Sequence, residues 1–212
     1  MFVRACAGAV TRRTLVTMAV FTILTPGLCA GVNATHAVRS ALEPTREQRI
    51  RLYHLEPYIR YFTALEYGED RTRVPASYIR ALILSESSAD RFALSHAGAR
   101  GLTQILPATG RMASGRLSVE DFDFRYIDER RLHDLDPDML YDPAVNILIA
   151  CYLNARYSAR WSGRPDLMAA AWNAGPGAVL KHGNRLPPYA ETQAFVERVL
   201  AYKAYFDSLQ SF

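Results

Sequence analysis

The stretch SYIRALILSESSADRFALSHAGARGLTQILPATG (residues 77–110) opens with helical spacing. Ile79, Leu82 and Ile83 fall at i, i+3 and i+4, the pattern of one buried helix face. The next position on that face, i+7, is Glu86. A carboxylate on an apolar face loses hydration in its charged form, so its pKa should rise. An acid that keeps its proton near neutral pH can give that proton to a leaving oxygen. The competing reading is a Glu at a helix end, partly wet and capped by the hydroxyls of its neighbours Ser85, Ser87 and Ser88. Periodicity leaves both readings open.

Outward from that stretch, the chain reads as helices. REQRIRLYHLEPYIRYFTALEYG (46–68) has helical apolar spacing, with a break expected near Pro57 and a stop at Gly68. A polar turn, EDRTR, follows, and Pro75 opens the helix that carries Glu86. DPAVNILIACYLNARYSARW (142–161) starts with Asp142 as N-cap and Pro143 at the first helical position. Its apolar stripe is Val145, Leu148, Ile149 and Tyr152. RPDLMAAAWNAGPG (164–177) is a short helix running into a Gly-Pro-Gly breaker. The last helix, from Glu191, turns Phe195, Val196, Val199 and Leu200 inward. There is no alternating strand run and no internal repeat, so the fold class is mainly α, in one domain. Residues 115–141 mix charges with aromatics in weak periodicity, and read as an irregular loop or a small hairpin.

Half of the 212 residues are apolar and 22% are charged, which suits a globular domain with a sizeable core. Arg4, Arg12 and Arg13 precede an apolar run (14–30) interrupted by Pro26 and Gly27, with small residues Ala30, Ala34 and Ala37 at its end. This is the layout of a secretory signal peptide. An uncleaved membrane anchor is the alternative, because residues 14–38 carry no formal charge with His36 neutral. The helix breakers favour cleavage. The expected organisation is a signal peptide or anchor over 1–37, a linker over 38–45 and the folded domain over 46–212, in a periplasmic or secreted protein.

Setting the signal aside removes three Arg and no acid, so the formal charge of +4 falls to +1 for residues 38–212. The basicity therefore gives no argument for nucleic acid as a partner. Cys6 and Cys29 leave with the signal, and Cys151 alone cannot form an intramolecular disulfide. No zinc-type Cys/His spacing, P-loop or Rossmann glycine pattern is present, so no metal or cofactor is expected.

Glu86-Ser87, then ALS (93–95), then GARGLTQILPAT (98–109) together resemble the signature of the family 1 lytic transglycosylases, enzymes with a lysozyme-like α fold. The resemblance continues in the family's order. NILIACYL (146–153) is similar to its next helix, AAWNAGPGAV (170–179) to its AYNAGPGxV, and ETQAFVERVLAY (191–202) to its final ETxxYVxxVL. Together they cover most of residues 74–203.

This likeness implies cleavage of the β-1,4 bond between N-acetylmuramic acid and N-acetylglucosamine in peptidoglycan, with a 1,6-anhydro end as product and no water consumed. It implies Glu86 as the acid and then the base. Ser87, Ser95, Gln104, Asn173 and Glu191 match positions at or near the family's saccharide cleft. Gly98 and Gly101 would allow a tight turn and a close backbone approach. Helix capping is the other reading of Asn173 and Glu191.

Two departures stand out. Trp172 replaces the family's Tyr, and indole only donates a hydrogen bond where phenol also accepts. Trp172 is either a wall of the cleft or an ordinary core aromatic. Thr103 replaces a Met and is expected to alter the cleft surface without touching the chemistry. Two functional alternatives stay open. One is a goose-type lysozyme that hydrolyses the same bond. The other is a weakly catalytic wall-binding helper of a secretion or conjugation apparatus.

Overall fold

The computed structural model describes residues 42–119 and 125–209. The segment read as a signal or anchor (1–37) lies outside the described residues, as does the linker up to residue 41. Among the described residues no helix is long and apolar enough to cross a membrane.

Helix α1 is Arg46–Ala64 and α2 is Ala76–Ser87. Helix α3 is Pro107–Leu117, and α4 is a short piece, Glu129–His133. A 3-10 turn at Pro137–Tyr141 leads into α5, Pro143–Arg160. The chain ends in α6 (Pro165–Ala174), α7 (Pro176–Lys181) and α8 (Ala190–Leu209). The described residues hold no β-strand, only three isolated bridges. Mainly α is thus the observed class.

A capping box starts α1. Thr45 Oγ1 accepts from the Gln48 N–H at 3.2 Å, and Gln48 Oε1 accepts from the Thr45 N–H at 2.8 Å. Leu52, Leu55, Ile59 and Phe62 form its buried stripe. The expected break at Pro57 does not occur, and the helix runs through it. Pro57 lies on the exposed face, and so does Tyr53 one turn earlier. The carbonyl that proline leaves unpaired is therefore open to water. The helix ends at Ala64, before the expected stop, and Gly68 (φ +66°) instead turns the chain between Tyr67 and Thr72.

Helix α5 is the centre of the molecule. Asp142 caps it, Oδ1 accepting from the Ala144 N–H at 2.8 Å. Every residue from Ala144 to Ala155 is buried, so the expected four-residue stripe is one side of a helix buried all round. Helix α1 packs on α2 and α5, and α8 lies along α2 and α6. Phe195, Val196 and Val199 of α8 are buried as their spacing predicts, whereas Leu200 is half-buried.

The described part of 115–141 is helical rather than a hairpin. It comprises the end of α3, α4 and the 3-10 turn, over buried Leu132, Leu135 and Leu140. Helix α4 and the 3-10 turn are each about one turn long, capped by Asp128 and Asp136 respectively. Pieces that short give no periodicity to read. Gly110 of α3 lets this segment close in, because a Cβ there would stand 2.9 Å from Leu135 Cδ2.

Candidate active site

Glu86 is the second-last residue of α2, half-buried at its C-terminal end. The chain then leaves the helix at Ser88 (φ +54°) and folds into a compact loop. Two bridges hold that loop, Leu94 with Arg100 and Arg100 with Ile105. Ser87 ties it to the helix end, its hydroxyl donating to the Leu102 carbonyl at 2.7 Å.

Buried Asn146 of α5 anchors the loop from below. Its Oδ1 accepts from Thr103 N–H (3.0 Å) and Thr103 Oγ1 (2.7 Å). Its Nδ2 donates to the carbonyls of Leu140 (2.8 Å) and Arg100 (3.1 Å). Thr103 is wholly buried in this arrangement, which corrects the expectation that it alters the cleft surface. A polar residue suits the position because an amide lies beneath it. At Gly101 (φ +75°) a Cβ would stand 2.1 Å from the Leu140 carbonyl, so the backbones approach there as only glycine permits.

Gln104 follows in a left-handed conformation (φ +51°), which costs a non-glycine residue about 1–2 kcal/mol. Its side-chain amide offsets this by donating to the carbonyls of Ala93 (3.1 Å) and Gly101 (3.0 Å). With both N–H groups used inside the loop, the Gln104 carbonyl oxygen is the end available to a ligand. Ser95 is occupied in the same loop, its Oγ accepting from the Ala99 N–H at 3.0 Å.

A cavity of about 300 Å3 opens beside this loop. Gln104, Leu106 and Thr109 line one side, Leu153 and Tyr157 of α5 the floor, and residues 171–176 the other side. Trp172 and Asn173 are among the latter. No acidic residue is among the described residues that line it. The Trp172 side chain, in the cavity wall, hydrogen-bonds the Glu86 carboxylate and lowers its pKa, while Glu86 itself is not among the lining residues. Burial pushes Glu86 up from 4.5 to about 7, against the lowering by that hydrogen bond and by the charge of Arg198. The apolar stripe of α2 thus ends in an acid that is half protonated near neutral pH.

Asn173 Oδ1 accepts from the Thr192 hydroxyl at 2.7 Å, which ties the cavity wall to the first turn of α8. Glu191, the preceding residue, is exposed in that turn. The fold therefore gathers Glu86, Gln104, Trp172 and Asn173, while Ser87 and Ser95 brace the loop and Glu191 stands outside the cavity lining. Two residues were missed from the sequence. Thr192 holds Asn173, and its signal was only its place beside Glu191. Tyr157 sits one turn beyond Leu153 on α5, a spacing that could have extended the stripe to it.

The family model for the transglycosylase SLT domain matches residues 64–193. The soluble lytic murein transglycosylase of Escherichia coli K12 is 30% identical over 173 residues, 76% of this chain and 24% of that one. Its counterpart in Salmonella typhimurium is 31% identical over 158 residues, 68% of this chain and 22% of the other. Among solved structures, the 70 kDa soluble lytic transglycosylase of E. coli matches with a TM-score of 0.59 and 26% identity, over 73% of this chain and 24% of that one. An inactive Glu-to-Gln mutant of the lytic transglycosylase Slt from Pseudomonas aeruginosa matches with a TM-score of 0.53 and 28% identity, over 65% and 22% of the two chains. This chain thus spans about a quarter of the length of these relatives. The mainly helical architecture matches the lysozyme-like fold of these neighbours, and the chain is a member of the transglycosylase SLT domain family.

Proposed function

We propose that this chain is a peptidoglycan lytic transglycosylase that cleaves the bond between N-acetylmuramic acid and N-acetylglucosamine and leaves 1,6-anhydro ends. The observation that carries the reading is Glu86, raised to about 7 by burial and bonded by Trp172, a residue of the cavity wall. Family membership supports the substrate class. The site of action would be the cell wall outside the cytoplasm.

One carboxyl group serves both halves of the reaction. Protonated Glu86 gives its proton to the glycosidic oxygen as the bond to muramic C1 breaks. The resulting carboxylate then takes the proton of the muramic 6-hydroxyl as that oxygen closes on C1. Glu86 ends protonated, as it began, and no water is consumed. The nucleophile belongs to the same sugar, so its attack gains the advantage of an intramolecular step. A second carboxylate, as most glycosidases need for a water or a covalent intermediate, has no task here. Trp172 steadies the carboxylate between the two proton transfers. Gln104 and Asn173 offer an amide oxygen and an amide at the wall for the N-acetyl and hydroxyl groups of the sugars.

Digestion of purified sacculi with mass analysis of the released muropeptides tests the reading. Ends one water lighter than hydrolysed ends support it. Hydrolysed ends would indicate a goose-type lysozyme instead. Binding without release would indicate a wall-binding helper of a secretion or conjugation apparatus.

A further inference from the structure

A second cavity, of about 410 Å3, opens between α1 and the loop that follows α2. Its buried lining is apolar, with Leu55 of α1 and Ala89 and Leu102 of the loop. Its rim is polar and mostly basic. Arg51, His54 and Tyr58 share one face of α1, and Arg91 joins them from the loop. Asp90 is the one acid among the described residues that line it, and its Oδ1 accepts from the Phe92 N–H at 2.9 Å.

Both guanidinium groups are open to a ligand. Arg51 pairs with Glu47 at 2.5 Å, but both side chains are exposed and such a pair is weak. Exposed Arg91 lies over the Phe92 ring, 4.8 Å from its centroid, with no ion pair among the described residues. The groove between α1 and the end of α8 differs, because Glu56 stands in it and already holds Arg60 and Arg80.

This second cavity is separate from the one that Trp172 walls, and no described residue lines both. Pro143, at its edge, opens α5, while Leu153 of the same helix floors the other. Along the helix axis the two are about 15 Å apart.

We propose that the second cavity binds an anion that carries an apolar body, a phosphate or carboxylate group on an alkyl or aryl chain. The charge sits between Arg51 and Arg91, whose planar forks match either group. The apolar body covers Leu55, Ala89 and Leu102. An apolar lining with a few convergent polar groups, at this volume, is the anatomy of a small-molecule site. The proposal does not rest on the transglycosylase reading, since binding is measured without turnover. Such a ligand has two sources, a soluble amphiphile or a single lipid drawn from a bilayer.

The test is calorimetric titration of the whole protein with octyl phosphate, kept below its micelle-forming concentration, and with methyl phosphate. Octyl phosphate should saturate one site and bind at least roughly tenfold more tightly than methyl phosphate, because its chain is buried. The Arg51→Gln, Arg91→Gln double variant should lose roughly tenfold or more. A charge-matched control, Arg160→Gln with Arg185→Gln, should bind as wild type does. Equal affinity for the two phosphates overturns the proposal, as do equal losses in the two double variants and an absence of saturable binding. Flotation with phosphatidylglycerol vesicles separates the sources. Flotation that the Arg51, Arg91 variant loses, beside saturable octyl phosphate binding, assigns the site to a lipid. Octyl phosphate binding without flotation assigns it to a soluble amphiphile. Flotation without octyl phosphate binding overturns the site in favour of surface charge alone.

Discussion

The Thr103 hydroxyl donates to Asn146 Oδ1 at 2.7 Å, inside the core and beneath the loop that carries Gln104. Asn146 is wholly buried and forms four hydrogen bonds there, two accepted and two donated. Its removal strands buried carbonyls and an N–H. Asn146→Ala should therefore cost about 3 kcal/mol or more in urea unfolding. Thr103→Val keeps the backbone bond to Asn146 and should cost about 1 kcal/mol. Equal costs for the two variants would mean that Asn146 is not the anchor of the loop.

Two glycines of the same loop separate space from conformation. A Cβ at Gly101 meets the Leu140 carbonyl at 2.1 Å, while one at Gly98 meets nothing within 4 Å. Both have positive φ. Gly98→Ala should cost only the left-handed penalty, about 1–2 kcal/mol. Gly101→Ala should cost clearly more and displace the loop, lowering activity as well as the unfolding midpoint. A mild Gly101→Ala would contradict the close approach of the two backbones.

Much of this was legible in the sequence. Glu86 announced itself by falling on an apolar stripe, and Asp142-Pro143 marked the start of α5. What stayed hidden depends on partners far along the chain. The place of Thr103 is set by Asn146, 43 residues away, and the role of Asn173 by Thr192, 19 away. Pro57 misled because a helix breaker is harmless where the freed carbonyl faces water. The pieces between α3 and α5 are too short to show a period.

Trp172 sets the acidity of Glu86 from one side, its hydrogen bond lowering the pKa against burial. Trp172→Phe removes that donor, so the Glu86 pKa should rise. The alkaline limb of the pH–activity profile should then move to higher pH, with a lower plateau because the carboxylate formed between the two proton transfers is less well held. Trp172→Tyr restores a donor and should keep or raise activity. A dead Trp172→Tyr beside an active Trp172→Phe would mean that a hydroxyl is harmful there.

Glu86 links stability to pH and to turnover. Folding raises its pKa from 4.5 to about 7. Below pH 4.5 the side chain is neutral folded or unfolded, and its burial carries no charge penalty. As pH climbs, the unfolded chain ionises first, so stability falls until the folded carboxyl ionises near 7 and then levels off. The full loss is up to about 3 kcal/mol. Glu86→Gln cannot ionise and should escape this loss. It should match wild type in unfolding experiments at pH 4 and be more stable at pH 8, by up to about 3 kcal/mol. The same variant cannot exchange the proton, so its turnover on sacculi should fall by roughly 100-fold or more. Glu191→Gln should cost much less, because Glu191 lies exposed outside the cavity lining and the proton donor stays in place. Counting 1,6-anhydro ends from the same sacculi compares the two. A fully active Glu86→Gln enzyme would remove Glu86 from the reaction, and equal losses at Glu86 and Glu191 would point to a two-carboxylate glycosidase.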